Sequence, residues 1–184
     1  MTPTDSRRRS FLKKGLIGGG LLFLGGAVPI ALRSGLQGLK PRRDLKLLTP
    51  EEHAVLAAVA ARLVPGDDAG PKWPSAAALD CAGKVDAVLA TVHPAVGAEF
   101  RQLLHLFENG LTGLFMTLSP TPFTRCSPAD QDQRLEAWRT SRIALLRSGY
   151  QALKRLTHAS YYSSPEIYDL IGYPGPPVVP QGAG

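Results

Sequence analysis

Residues 49–66 read Thr49-Pro50-Glu51-Glu52-His53-Ala54-Val55-Leu56-Ala57-Ala58-Val59-Ala60-Ala61-Arg62-Leu63-Val64-Pro65-Gly66, and the fold class follows from this stretch. Thr49 stands at an N-cap position, Pro50 at the first helical position and Glu52 three residues after the cap, which together form a capping box. Val55, Leu56, Val59 and Leu63 recur at helical spacing, five alanines favour the conformation, and Pro65-Gly66 stops it. The pattern predicts a helix with an apolar stripe in a core.

Downstream, three prolines and two glycines between Pro65 and Pro74 forbid regular structure. Asp67 and Asp68 in that loop lack the alternate spacing and later Glu of a calcium loop and read as a solvated turn. A helical stretch is expected from about Ser75 to Thr91, with Leu79, Val85, Val88 and Leu89 buried, before His93-Pro94 breaks it. Another is expected from about Ala95 to Phe115 around Phe100, Leu103, Leu104, Phe107, Leu111 and Leu114. Gly110 and Gly113 loosen its end and permit close approach by another backbone. After a proline-rich segment, Ser127-Pro128-Ala129-Asp130 opens a further helix. From there Leu135, Trp138, Ile143, Leu146, Tyr150, Leu153 and Leu156 mark a long apolar face, while Arg134, Arg139, Arg142 and Arg147 read as a solvated one. No period-2 strand run or Asn-Gly hairpin appears, so the expected fold is all-α. It is a single compact helical domain over residues 48–172, with an extended Pro/Tyr-rich tail over residues 173–184.

Upstream, Arg8-Arg9-Ser10-Phe11-Leu12-Lys13 stands just ahead of an uncharged run over residues 15–32 that holds six glycines. Arg8, Arg9, Phe11, Leu12 and Lys13 at this spacing, before a mild apolar region, form a twin-arginine export signal. That route carries proteins already folded. The signal is placed at residues 1–34 and a linker at residues 35–47. Pro29-Ile30-Ala31 is no clean cleavage site, and an uncleaved signal of this length would also serve as a membrane anchor. The expected location is the periplasm, with the chain associated with or anchored in the cytoplasmic membrane.

The formal charge of +6 is misleading. Residues 1–43 hold nine of the 21 Lys/Arg and one of the 15 Asp/Glu, leaving 12 basic against 14 acidic residues, a net of −2, from Asp44 onward. A nucleic-acid partner loses its electrostatic basis.

Catalytic patterns are missing from the sequence. There is no Gly-x-Gly-x-x-Gly, no phosphate loop, no Cys-x-x-Cys-His and no Gly-x-Ser-x-Gly elbow. His53, His93, His105 and His158 lack the i,i+4 pairing of a helical metal site, and the step from His105 to Glu108 reads as polar helix surface. No catalytic, cofactor-binding or metal-ligating residue is nominated. An enzyme using His105 or Glu108 is the least favoured reading.

Cys81 and Cys126 are the two cysteines. In an exported domain they either form one disulfide, the favoured reading, or remain two separate buried thiols. A bond would close a loop of about 45 residues and stabilise by roughly 4 kcal/mol in the chain-entropy view. All five tyrosines, Tyr150, Tyr161, Tyr162, Tyr168 and Tyr173, fall in the last 35 residues. Tyrosine joins a large rigid contact area to a polar tip, so Tyr161, Tyr162, Tyr168, Tyr173 and Pro174 are the expected partner interface. The competing reading packs the first three against the domain's own helices.

Three segments resemble the gluconate 2-dehydrogenase subunit 3 family, small subunits of membrane-associated flavin dehydrogenases. They are the signal at residues 8–13; Leu48-Thr49-Pro50-Glu51-Glu52 with Leu63-Val64-Pro65-Gly66-Asp67; and Tyr161-Tyr162-Ser163-Ser164-Pro165 with Ile171-Gly172-Tyr173-Pro174-Gly175-Pro176. The resemblance implies a non-catalytic subunit without a cofactor of its own, partnered with a large flavoprotein of the glucose-methanol-choline type that holds FAD. It also implies that the twin-arginine translocase exports the pair, and that a multihaem cytochrome c subunit often receives the electrons. The substrate class, whether sugar, sugar acid, alcohol or sterol, is not carried over. The alternative is a free-standing, membrane-anchored periplasmic helical protein that binds a small ligand.

Overall fold

The computed structural model describes residues 41–66, 70, 72–117 and 120–176. The expected signal, with Arg8, Arg9, Phe11, Leu12 and Lys13, lies outside the described residues, as do Asp67, Asp68 and residues 177–184. The described residues form helices and turns with no strand among them, as an all-α domain requires.

Helix α1 spans Pro50–Leu63 and has the expected capping box: the Glu52 amide donates to the Thr49 side chain, and the Glu52 carboxylate accepts from the Thr49 amide. Eight of its 14 residues are buried, which makes α1 a central helix rather than a surface one. Small alanine side chains let α2 (Cys81–Leu89), α3 (Pro94–Glu108), α5 (Pro128–Arg139) and α6 (Ala144–Tyr162) all pack against it. Helix α4 (Gly110–Thr117) packs on α3 and α5, and the four-residue α7 (Pro165–Tyr168) follows α6.

Three of the expected helices differ from the sequence reading. The stretch from Ser75 begins as turns, and α2 starts only at Cys81 because Asp80 takes a left-handed conformation with φ of 50°, which no helix interior accommodates. The helix expected through Phe115 divides at Asn109, whose extended ψ of 124° ends α3. Gly110 then opens α4 directly under the Pro120 carbonyl, where a Cβ would sit 2.0 Å from that oxygen, so the expected close backbone approach is real at this glycine. The long helix after Pro128 divides at residues 140–143; the Ser141 hydroxyl accepts from the Ile143 amide and leaves Ile143 exposed rather than buried. Val88, expected inside, is also exposed.

Two apolar clusters hold the helices together. The larger joins Leu48, Leu56, Val59, Leu104, Phe107, Phe123, Trp138 and Leu153. Within it Phe107 meets Phe123 at 4.5 Å and Trp138 at 4.7 Å in tilted and edge-on geometry, favourable for aromatic pairs. The smaller cluster joins Ala60, Val64, Ala76, Leu79, Cys81, Tyr161 and Ile167 at the opposite end of α1 and α6. Arg134, expected on a solvated face, is fully buried, and its guanidinium donates to the Thr121 carbonyl at 2.8 Å. Among the described residues no helix is long and apolar enough to cross a membrane.

Candidate functional site

Polar chemistry in the domain gathers on three carboxylates, Glu52 and Asp86 buried and Glu108 half-buried. The capping box carries Glu52 into the interior, where its side chain is 2% exposed. Arg101 and His105 stand four residues apart on α3, on one helical face, and both reach it: Arg101 Nε donates to the two oxygens at 3.0 and 2.9 Å, and His105 Nε2 lies 2.8 Å from Oε1. Burial pushes the Glu52 pKa up, but hydrogen bonds from His105, Arg101 and Thr49 and the Arg101 charge outweigh it and lower it from 4.5 to about 2. Glu52 is therefore a permanent anion under a half-exposed Arg and His.

Glu108 does not join His105. Its carboxylate accepts from the Thr124 amide at 3.0 Å and the Thr124 hydroxyl at 2.6 Å, tying α3 to the 3-10 turn at Phe123–Arg125. Burial raises its pKa, and the Thr124 bonds and the charges of Arg134 and Arg125 only partly offset this. The expected polar helix surface is thus two separate tethers.

Asp86 of α2 is 1% exposed and accepts from three consecutive amides, those of Lys46, Leu47 and Leu48, at 2.7, 3.0 and 2.7 Å. The described end of the expected linker is therefore strapped along α2. Farther back, Arg43 pairs with Asp80, and Arg42 donates to the Ala78 carbonyl at 3.1 Å.

The tyrosines separate into packing and surface. Tyr161, placed in the expected interface, is fully buried, and its hydroxyl donates to the Pro74 carbonyl at 2.8 Å, so it belongs to the smaller core cluster. Burial first, then the neighbouring Tyr162 and Cys81, raise its pKa. Tyr162 is half-buried, its ring edge-on to Tyr161 at 5.2 Å and to His158 at 5.8 Å. His158 Nε2 in turn donates to the Leu63 carbonyl at 2.9 Å. Tyr168 donates to the Ser163 carbonyl at 3.1 Å, meets Tyr173 edge-on at 5.1 Å, and accepts the Tyr173 amide on its own carbonyl at 2.9 Å. Gly172, with φ of 68°, makes the left-handed turn that folds the chain back. Residues 171–176 consequently form a hook folded on Tyr168, and the rest of the expected tail, residues 177–184, lies outside the described residues. The hook's exposed residues include Ile171, Tyr173 and Pro174.

Cys81 and Cys126 are free thiols, and the expected disulfide is not formed. Cys81 begins α2 within the smaller cluster, where burial raises its pKa, while the Cys126 thiol donates to the Pro122 carbonyl at 3.4 Å beside the 3-10 turn, where burial likewise raises its pKa. The sulfurs sit in different neighbourhoods, a separation that sequence spacing does not encode.

Sequence reasoning missed Glu52, Arg101 and Asp86 as hubs, and also Lys84, whose ammonium donates to the buried Ser164 hydroxyl at 2.6 Å. The usable signal was the spacing of Arg101 and His105 on one face of α3, which calls for a shared acid. Among the described residues no group of three or more His, Cys, Asp or Glu is placed to hold a metal ion.

These features define a small helical domain whose carboxylates serve to tie segments together and whose exposed apolar groups include a preformed C-terminal hook. The chain belongs to the gluconate 2-dehydrogenase subunit 3 family, whose model matches residues 50–175. The match begins at the first residue of α1 and ends within the hook. No curated protein and no solved structure matches the chain. Membership in this subunit family makes the chain a subunit of a dehydrogenase complex and implies other subunits.

Proposed function

We propose that the chain is the non-catalytic small subunit of a periplasmic, membrane-associated flavin dehydrogenase. In this reading it supplies the twin-arginine signal at Arg8, Arg9, Phe11, Leu12 and Lys13 and stabilises or matures a large glucose-methanol-choline-type subunit that holds FAD. The family match over residues 50–175 carries the proposal. The sequence of residues 8–13 supports the export role, and a net charge of −2 from Asp44 onward argues for a protein partner over nucleic acid.

The hook is the proposed contact. Tyr168 holds Ile171, Tyr173 and Pro174 outward, so little side-chain freedom is lost when a partner covers them. Tyr161 drops out of the interface because it is already buried, and Tyr162 contributes at most its half-exposed edge. A multihaem cytochrome c completes the proposed complex as electron acceptor.

A tagged pull-down from membrane and periplasmic fractions, with mass spectrometry and an absorption spectrum, tests this. The expected result is a near-stoichiometric flavoprotein with a flavin spectrum, retained in the cytoplasm when Arg8 and Arg9 are changed to Lys. Recovery of the chain alone, colourless and exported, would reject the subunit reading and favour the free-standing ligand-binding protein.

A further inference from the structure

The contacts made by residues 42–48 are of an unusual kind for a linker. Asp86 spends its carboxylate on three consecutive backbone amides of that segment, and no side chain of the segment is needed for those bonds. Asp80 provides a second clasp through Arg43, and the Ala78 carbonyl a third through Arg42. All three acceptors lie on α2 or in the turn just before it. Asp80 holds a left-handed conformation, with its carboxylate over Gly83, where a Cβ would come within 2.6 Å of it. The acceptors are in register only when that turn and α2 have formed.

We propose that residues 42–48 are a fold-dependent latch: the segment closes on α2 only in the finished domain, and it opens before the core does. The physical reason is an imbalance along the strap. Arg42, Arg43, Asp44 and Lys46 are exposed, and Leu48 is the first residue buried in the main cluster. Opening as far as Lys46 returns the Lys46 amide, the two arginines and the Asp80 carboxylate to water without uncovering core, the signature of a low-cost local opening. Leu47, whose methyl groups lie against Gly97 of α3, and Leu48 mark where that opening stops.

The latch sets the length of free chain ahead of the domain. Nine residues, 33–41, separate the apolar run from the first clasp, a reach of at most about 30 Å. With the strap open through Lys46 there are 14, reaching roughly 50 Å. If residues 8–13 are an export signal, the reading on which this consequence rests, a closed latch shortens the contour length of chain between that signal and the clasped domain.

The test uses the full chain and limited trypsin digestion, since Arg42, Arg43 and Lys46 are all cleavable once the strap leaves α2. Asp86→Asn is expected to raise cleavage after Lys46 by about tenfold, because it removes a charged acceptor from three amides, while near-UV circular dichroism stays native. Arg42→Gln with Arg43→Gln removes only the surface clasps and leaves Lys46 as the strap's site, so its rate should rise by about threefold even if the Asp86 variant does not fold. An unchanged rate after Lys46 in the double variant would overturn the latch, as would cleavage that rises only in step with global unfolding. Export is scored separately: normal export of the variant with Arg8→Lys and Arg9→Lys would reject the signal reading while the cleavage rates still decide the latch.

Discussion

The two ends of the described chain are attached to the same helical core by opposite means. The entering strap, residues 41–48, is held by carboxylates: Asp80, Asp86 and, through the Thr49 amide just beyond it, Glu52. The leaving hook, residues 171–176, is held by an aromatic ring, with Tyr168 stacked edge-on against Tyr173 and bonded to the Ser163 carbonyl. Carboxylate tethers depend on charge and on donors brought in from elsewhere in the chain. A ring contact depends on neither. The difference separates a segment suited to opening and closing from one suited to presenting a fixed surface.

The first way to break the comparison is at the buried base of each segment. Leu48→Ala and Ile167→Ala each remove a side chain at most 5% exposed and should each cost about 2–5 kcal/mol, measured by urea denaturation. Equal losses with trypsin cleavage confined to the strap in the first variant would show that the two ends are anchored in the separate clusters.

Acid sharpens it next. Glu52 has a folded pKa of about 2 against 4.5 in the unfolded chain, so its stabilisation is fully present above pH ~4.5 and is lost as pH falls toward 2. The shift corresponds to about 3 kcal/mol at most, and thermal melts between pH 6 and 2 should show a slope that Glu52→Gln flattens. Glu108 acts in the opposite sense: burial raises its folded pKa, so its contribution is greatest in acid and declines as pH rises above 4.5.

Smaller effects belong to the hook. Tyr168→Phe keeps the ring contact and loses the bond to the Ser163 carbonyl, an expected cost of about 1 kcal/mol by chemical denaturation. Tyr173→Ala, at 42% exposure, should change stability by no more than about 0.5 kcal/mol. In the pull-down the same substitution should release the proposed flavoprotein partner, and undiminished recovery would move the proposed contact elsewhere on the domain.

The reading of helices from sequence succeeded where the signal is local. The capping box at Thr49 and Glu52, the Pro-led start at Pro128 and the absence of strand periodicity all appear among the described residues because caps and backbone restriction act within a few residues. It failed where a distant neighbour decides. Asn109 ends α3 and Gly110 admits the Pro120 carbonyl, a contact between segments ten residues apart. Arg134 looked like one of four surface arginines, yet it alone of them is fully buried, with Thr121 on its guanidinium.

By itself, then, the sequence determined that the described residues are all-α, that a helix opens at Thr49-Pro50, and that the chain resembles the family whose model matches residues 50–175. Tertiary structure alone decided what the polar groups do. Arg101 and His105 meet Glu52 across 49 and 53 residues, and Asp86 meets the strap across 38 to 40. The same long-range packing leaves Cys81 and Cys126 as free thiols and folds the described residues 171–176 back on Tyr168. Helix caps and periodicity are properties of neighbouring residues, whereas a buried charge or thiol finds its partner only when separately formed helices are brought together.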